Sequence, residues 1–206
     1  MSATQHAATM RATRFALLLM ATSLLTGCFY SINPLYTEKD LVFMPELIGK
    51  WQNLKDKTTI TFTKLDENAY LSVSNDDGKE LRFEARLVKL GELLMLDIYP
   101  DNAQAKLEEE SLLPLHSFAK IEVKPDVFRL TLWNYEYLDE KLVHKKLRIG
   151  HVRLEGAGGK IPFTPEHYDA ILLTGTTADL QKKLREIEND PKIFWTAETI
   201  EYRRQE

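Results

Sequence analysis

The chain has 206 residues, of which 31 are acidic and 27 are basic, and its formal net charge is −4. This length allows one domain with a proper core. The mildly acidic composition argues against nucleic-acid binding, which depends on a basic patch. The single cysteine, Cys28, excludes an intrachain disulfide.

Residues 1–27 have the layout of a secretory signal peptide. Two arginines precede an apolar run over residues 15–25, and the segment has no acidic residue. The run is shorter than the roughly 20 apolar residues that a transmembrane helix needs. A tighter leader of the same kind begins at Met10, so a start at Met1 or at Met10 stays open, and neither choice changes the mature chain.

The four residues Leu25-Thr26-Gly27-Cys28 follow that run directly. They resemble the lipobox of bacterial lipoproteins, with an aliphatic residue, two small residues and then the cysteine. The resemblance implies cleavage between Gly27 and Cys28, a diacylglyceryl group on the Cys28 thiol and acylation, for example by palmitate, of the new amino terminus. Phe29 rather than aspartate follows the cysteine. In this family that implies anchoring at the periplasmic face of the outer membrane, in preference to the inner membrane.

Cleavage would leave 25 basic and 31 acidic residues, a formal charge of −6. Once Cys28 is lipidated no free thiol remains, so the stability of the mature chain would depend on packing alone. Residues 28–45 mix polar and aromatic side chains and contain two prolines, which disfavour a long helix or a central strand. We therefore expect a lipidated tether over 28–45, packed from about Leu41, and a single domain over 46–206.

Alternation of apolar and polar residues dominates this domain. In the clearest stretch, 81–87, every second residue is apolar and the residues between are charged, which is typical of a half-buried strand. About eight such strands, separated by short turns, predict a mainly β fold. We expect its antiparallel sheet to close or half-close into a barrel.

One amphipathic helix is predicted near the carboxyl terminus, over 177–189. Thr176 is suited to cap it, with Asp179 as the partner in a capping box. Leucines and an isoleucine that recur every three or four residues form its apolar stripe. A final strand is predicted over 193–203.

The motif Gly49-Lys50-Trp51 lies near the start of the mature domain. It resembles the Gly-x-Trp of lipocalins, in which the tryptophan closes the floor of an eight-stranded barrel that a helix and a ninth strand follow. The resemblance implies a lipocalin-like barrel over 47–203. Two other motifs of that family are not found, a Thr-Asp-Tyr in the middle and an arginine before the helix, for which Arg153 is only a positional candidate.

The sequence carries no catalytic or metal-binding pattern that assigns a reaction. Nucleophile-elbow, phosphate-loop and dinucleotide-binding motifs are not present. The histidines that follow Cys28 lack both the i,i+4 spacing and a cysteine co-ligand for a metal. Aromatic residues on or beside strands are the remaining candidates, as a possible apolar pocket lined by Trp51, Phe83, Phe128 and Trp133. Ordinary filling of the barrel interior is the alternative interpretation of these four residues.

The sequence thus favours a membrane-anchored periplasmic lipoprotein that acts as a non-enzymatic interaction or accessory module of the envelope. Its expected partners are the membrane, through the lipid on Cys28, and an envelope protein. The alternative is a lipocalin-like carrier of a small apolar ligand, and an envelope hydrolase is the third hypothesis. No cofactor or metal is expected. The segment from Cys28 to Trp51, with its Asn33-Pro-Leu-Tyr36, is also similar to the opening of uncharacterised bacterial lipoproteins, which implies no activity.

Overall fold

The computed structural model describes residues 29–76, 79–101, 115–143, 147–154, 170–194, 196 and 199–205. Two α-helices lie in the second half of the chain, α1 (Tyr135–Val143) and α2 (Thr177–Ile187). The strands are, in chain order, β1 (Phe29–Ser31), β2 (Leu41–Val42), β3 (Gly49–Asn53), β4 (Thr59–Lys64), β5 (Tyr70–Asp76), β6 (Lys79–Leu90), β7 (Leu93–Pro100), β8 (Ser117–Lys124), β9 (Val127–Thr131), β10 (His151–Leu154), β11 (Ala170–Leu173) and β12 (Ile200–Arg204).

Eight strands close into an antiparallel barrel. Hydrogen-bonded neighbours run in the order β3, β4, β5, β6, β7, β8, β9, β12 and back to β3. Seven of these strands follow one another along the chain, and β12 closes the ring. Tyr202 of β12 therefore lies opposite Phe128 of β9 on one side and Asn53 of β3 on the other. The prediction of a mainly β fold with an antiparallel barrel, consistent with a lipocalin-like architecture, is confirmed.

The period of two along each strand decides which side chains fill the barrel. On β6, Phe83, Ala85 and Leu87 belong to the buried interior cluster. The next residues on the same strand, Val88 and Leu90, belong to a second buried cluster outside the barrel wall. One strand thus supplies two cores, because its far end is covered on its outer face as well.

A small three-stranded sheet lies outside the barrel, with the strand order β1-β11-β10. Strand β1 runs parallel to β11, and Phe29 lies opposite Ile171. Strand β10 is antiparallel to β11 on the other side. Phe29 and Ile171 pack with apolar residues of α1, α2 and the barrel wall in the second buried cluster, which we call the outer cluster.

Helix α2 begins as the sequence predicts. Thr176 is its N-cap, its hydroxyl accepts from the Asp179 N–H at 3.2 Å, and the Asp179 carboxylate accepts in return from the Thr176 N–H. The helix ends at Ile187, two residues before the predicted end. Of the two described helices, neither is both long and apolar enough to cross a bilayer.

We expected a tether over 28–45 that packs only from about Leu41, but the chain is already packed from Phe29 onward. Phe29, Tyr30 and Ser31 form β1 and are buried, and Leu35 is buried too. The segment packs early because β1 finds its partner, β11, about 140 residues further along the chain, a pairing that local sequence does not reveal. We call residues 29–40 the N-terminal segment.

The last part of the chain also differs from the prediction of a strand over 193–203. Ile193 and Phe194 are buried in the outer cluster, where Phe194 forms only an isolated bridge with Trp133. The strand itself, β12, begins at Ile200. The chain leaves α2 in the outer layer and must pass back to the barrel wall before it can pair with β9 and β3.

Candidate functional site

Large aromatic side chains fill the barrel interior. Phe128 lies at the centre, 5.0 Å from Trp51 in an edge-to-face pair and 4.6 Å from Tyr202 in a stacked pair, measured between ring centroids. Phe62 meets Phe128 edge-on at 5.8 Å and approaches Tyr70 as well. All five side chains are at most 1% exposed. Such offset and edge-to-face contacts are the favourable geometries for aromatic pairs, so this part of the interior is packed with side chains.

One end of the barrel is closed around Trp51. The Trp51 indole donates to the Leu47 carbonyl at 2.9 Å, and the Arg204 guanidinium lies over its ring, 4.2 Å from the centroid. Arg204 also donates to the Ile48 and Glu46 carbonyls. Gly49 has φ +138°, and a Cβ there would lie 2.5 Å from the Arg204 guanidinium. The glycine two residues before Trp51 therefore leaves room for Arg204 of β12 to lie against the Trp51 ring of β3.

The four aromatic residues predicted to line a pocket do not come together. Trp51, Phe83 and Phe128 lie in the barrel interior, whereas Trp133 lies in the outer cluster. Arg153, the positional candidate for the lipocalin arginine, pairs instead with Asp139 of α1. Gly27 and Cys28, the predicted cleavage and lipidation residues, lie outside the described residues.

An apolar pocket lies in the outer cluster, between the barrel wall, both helices and the small sheet. Its cavity volume is about 40 Å3, and it opens to solvent on one side. Phe29 of β1, Phe118 of β8 and Leu138 of α1 contribute to its walls, and Leu180 and Leu184 of α2 form another wall. Apart from Lys183, all the lining side chains are apolar.

Two polar groups belong to this lining. Trp133 is 7% exposed and packs on Phe194 with 5.0 Å between ring centroids, yet its indole N–H has no acceptor in the part of the chain that the structure describes. Leaving such a donor unpaired costs about 1–3 kcal/mol. Lys183 lies in the α2 wall, and its ammonium group pairs with Glu186 at 2.7 Å at the surface.

A buried acid–base pair lies on the outer face of the barrel wall, beneath the N-terminal segment. The Asp97 carboxylate meets His116 Nδ1 at 2.7 Å, and its second oxygen accepts from the Leu35 N–H at 2.8 Å. Tyr99 covers the imidazole, 4.6 Å between ring centroids. Burial raises the pKa of Asp97 above its ordinary value, although the hydrogen bond from His116 opposes this shift.

A second buried aspartate ties the N-terminal segment to α2. Gln181 donates from one amide nitrogen to the Leu35 carbonyl at 2.9 Å and to the Asp40 carboxylate at 2.8 Å. The Thr37 N–H and hydroxyl also donate to Asp40. Burial alone would raise the pKa of Asp40, but the hydrogen bonds from Thr37 and Gln181 outweigh burial and lower it. Asp40 and Asp97 therefore hold neighbouring parts of one segment with opposite pKa shifts.

The sequence contained one signal for Asp97 that the predictions did not use. Asp97 is the single charged residue in the apolar stretch 93–99, and a lone charge in such a strand usually has a partner. The sequence around its partner, His116, does not indicate this pairing, which depends on the tertiary structure. Among the described residues, no group of three His, Cys, Asp or Glu side chains is placed to hold a metal.

One face of the small sheet is apolar and partly covered. Val152, Leu172 and Tyr30 lie side by side across its three strands, and Tyr30 is only 3% exposed because it packs with Leu115 and Ala170 in a third buried cluster. Val152 is 48% exposed, and Ile32, which directly follows β1, is 51% exposed. Arg148, just before β10, is exposed as well.

Three comparisons with known proteins gave no match. A scan against protein-family models found no matching family, and searches of curated proteins and of solved structures found no matching chain.

Proposed function

We propose that the protein is an outer-membrane lipoprotein of the periplasm, and that its folded domain acts as a non-enzymatic accessory module lying directly against the bilayer. The lipobox-like tetrapeptide ending at Cys28 supports the anchor. The observation that carries the position of the domain is the burial of Phe29, which is 4% exposed and paired with β11.

The absence of a spacer between anchor and fold sets this geometry. Consecutive Cα atoms are about 3.8 Å apart, so a lipid on Cys28 is attached one residue away from a buried strand. A domain tethered this way cannot move far from the lipid headgroups. The small sheet, which contains β1, is then the part of the domain nearest to the membrane.

The surface of the small sheet suits that position. Val152 and Ile32 are among the four large apolar side chains that are most exposed in the described chain. Apolar side chains at the headgroup level gain from leaving water, and a nearby cation such as Arg148 is attracted to anionic lipid. The barrel, in this arrangement, faces the periplasm and offers the surface for an envelope protein partner.

The filled interior favours an accessory role over the carrier hypothesis. A ligand carried inside the barrel would need the space that Phe128 and its aromatic neighbours occupy. The Asp97–His116 pair, in turn, is explained by its fastening role, because Asp97 also accepts from the Leu35 backbone. We therefore assign this pair no catalytic part.

Two experiments test the proposal. Cys28→Ser should leave an unprocessed or soluble product in cell fractionation, whereas wild-type amounts of globomycin-sensitive, membrane-bound product from this variant would refute the anchor. For the position of the domain, an environment-sensitive fluorophore on Val152→Cys should report an apolar surrounding in phosphatidylglycerol-containing vesicles. Leu54→Cys, equally exposed in the turn after β3, is the matched control. Equal signals at both sites would refute the placement of the small sheet.

A further inference from the structure

The pocket in the outer cluster has the shape and chemistry of a site for one extended hydrocarbon chain. Its cavity volume is only about 40 Å3 and one side opens to solvent, so a slender chain lying along it fits better than a ring system. Leu138, Leu180 and Leu184 provide aliphatic walls from both helices. Each methylene group that leaves water for these walls adds to the affinity.

A single cation in this lining indicates the headgroup. Lys183 is the one charged residue among the described side chains of the lining, and its side chain is 21% exposed. A lysine in this position buries its methylene stem along the apolar wall while the ammonium group stays in water. Its present partner, Glu186, is the acceptor of a solvent-exposed ion pair, and such pairs are weak.

We propose that the pocket binds a free long-chain fatty acid, with the alkyl chain against the leucines of α1 and α2 and the carboxylate on the Lys183 ammonium group in place of Glu186. The Trp133 indole N–H, which has no acceptor among the described residues, is a second donor in this lining. The pocket is separate from the barrel interior, so this site is not the carrier cavity that the sequence had suggested.

The location of the pocket indicates that the fatty acid comes from the membrane. Phe29, which lines the pocket, directly follows Cys28. The pocket therefore lies near the bilayer under the proposed anchoring, and the supply of fatty acid from the membrane rests on that proposal. The pocket and its Lys183 do not rest on it, so the two are testable separately.

The experiment uses the full-length protein in phosphatidylcholine vesicles with palmitic acid that carries a diazirine near its chain end. After photolysis, mass spectrometry should place the label on residues of α1 and α2 that line the pocket. Unlabelled palmitate should compete, and a single-chain cation such as hexadecyltrimethylammonium should not. Labelling confined to other parts of the domain, or equal competition by the cation, would overturn the proposal.

Two adjacent lysines on α2 give a matched pair of variants. Lys183→Met should reduce labelling about 5-fold, the effect of losing one partly exposed charge pair, whereas Lys182→Met, at an exposed position outside the lining, should leave it unchanged. Glu186→Gln should raise labelling about 2-fold because it removes the competing carboxylate. All three positions lie at the surface, so the variants should fold. Equal labelling of Lys183→Met and Lys182→Met would refute the assignment of the carboxylate.

Discussion

The barrel interior and the outer cluster are two apolar cores on opposite sides of one wall, and they are packed differently. The interior is lined by strands that mostly follow one another along the chain, and Phe128 meets three aromatic rings there. The outer cluster is assembled from the N-terminal segment, both helices and the small sheet. It keeps an open pocket, and the Trp133 indole N–H in its lining has no acceptor among the described residues.

In this protein the core between neighbouring strands is filled by their own side chains. The core between separate elements also depends on hydrogen bonds that hold those elements together. The N-terminal segment is held over the outer cluster by Asp97 and by the Gln181–Asp40 pair. Hydrogen bonds to charged groups are stronger than neutral ones. We infer that these polar contacts act together with the burial of Phe29 and Leu35 to fix the N-terminal segment.

The largest expected effect is the loss of an aromatic ring in the interior. Phe128→Ala should lower the free energy of unfolding by about 4 kcal/mol, because a large cavity forms among rings that cannot close on it. Leu184→Ala, at the edge of the existing pocket, should cost only about 2 kcal/mol. Urea unfolding followed by circular dichroism measures both values. Equal losses would contradict the difference in packing between the two cores.

Removal of the Asp97 carboxylate should have the next largest effect. Asp97→Ala leaves the Leu35 N–H and His116 without their buried partner, and we expect a loss of about 3 kcal/mol. Asp97→Asn keeps an acceptor for the Leu35 N–H and should cost clearly less. Hydrogen exchange at the Leu35 amide is the specific measurement. Unchanged protection of this amide in Asp97→Ala would show that the fastener is not Asp97.

Added side-chain volume should also destabilise the barrel interior more than the outer cluster. Ala85 is fully buried in the interior, and Ala85→Leu should destabilise the fold by about 2 kcal/mol. Leu184→Phe places its extra atoms in the pocket and should change stability by less than about 0.5 kcal/mol. Thermal unfolding midpoints of the two variants provide the comparison. A larger loss for Leu184→Phe would mean that the pocket does not accept added volume.

The smallest effect is a pH dependence at the N-terminal segment. The pKa of Asp40 is lowered in the folded protein, so its contribution to stability is present above the unfolded pKa, near 3.8, and is lost as pH falls through the folded value. Asp40→Asn should be about 1 kcal/mol less stable than the wild type at pH 7. This difference should shrink below pH 3.8, as measured by urea unfolding at each pH.

Asp97 provides the contrast in sign. Its folded pKa is raised, so the stability linked to its protonated form is present at low pH and is lost as pH rises through the folded value. Asp97→Asn should therefore gain in stability relative to the wild type as pH rises from the unfolded value, near 3.8, through the folded value. A parallel pH response of the Asp40→Asn and Asp97→Asn differences would contradict the opposite shifts.

Local sequence predicted the barrel well because period-two alternation reports burial on one face, wherever the partner strand lies. Phe83, Ala85 and Leu87 are inside as their alternation predicts. The capping box at Thr176 and Asp179 is likewise a contact within one turn. The pocket was not predictable in this way. Trp133 and Lys183 come together with Phe29 only through packing of distant elements.

The sequence by itself determined the mainly β fold and the capped helix α2, because these depend on residues close together in the chain. The prediction of a lipid anchor at Cys28 also comes from local sequence alone. The tertiary structure alone decided that Arg204 covers Trp51, that Asp97 meets His116 and that Phe29 is buried beside α2. The physical reason is that alternation and caps act locally, whereas these contacts require the chain to return on itself. The burial of Phe29, one residue after the predicted anchor, is the contact that bears most directly on function.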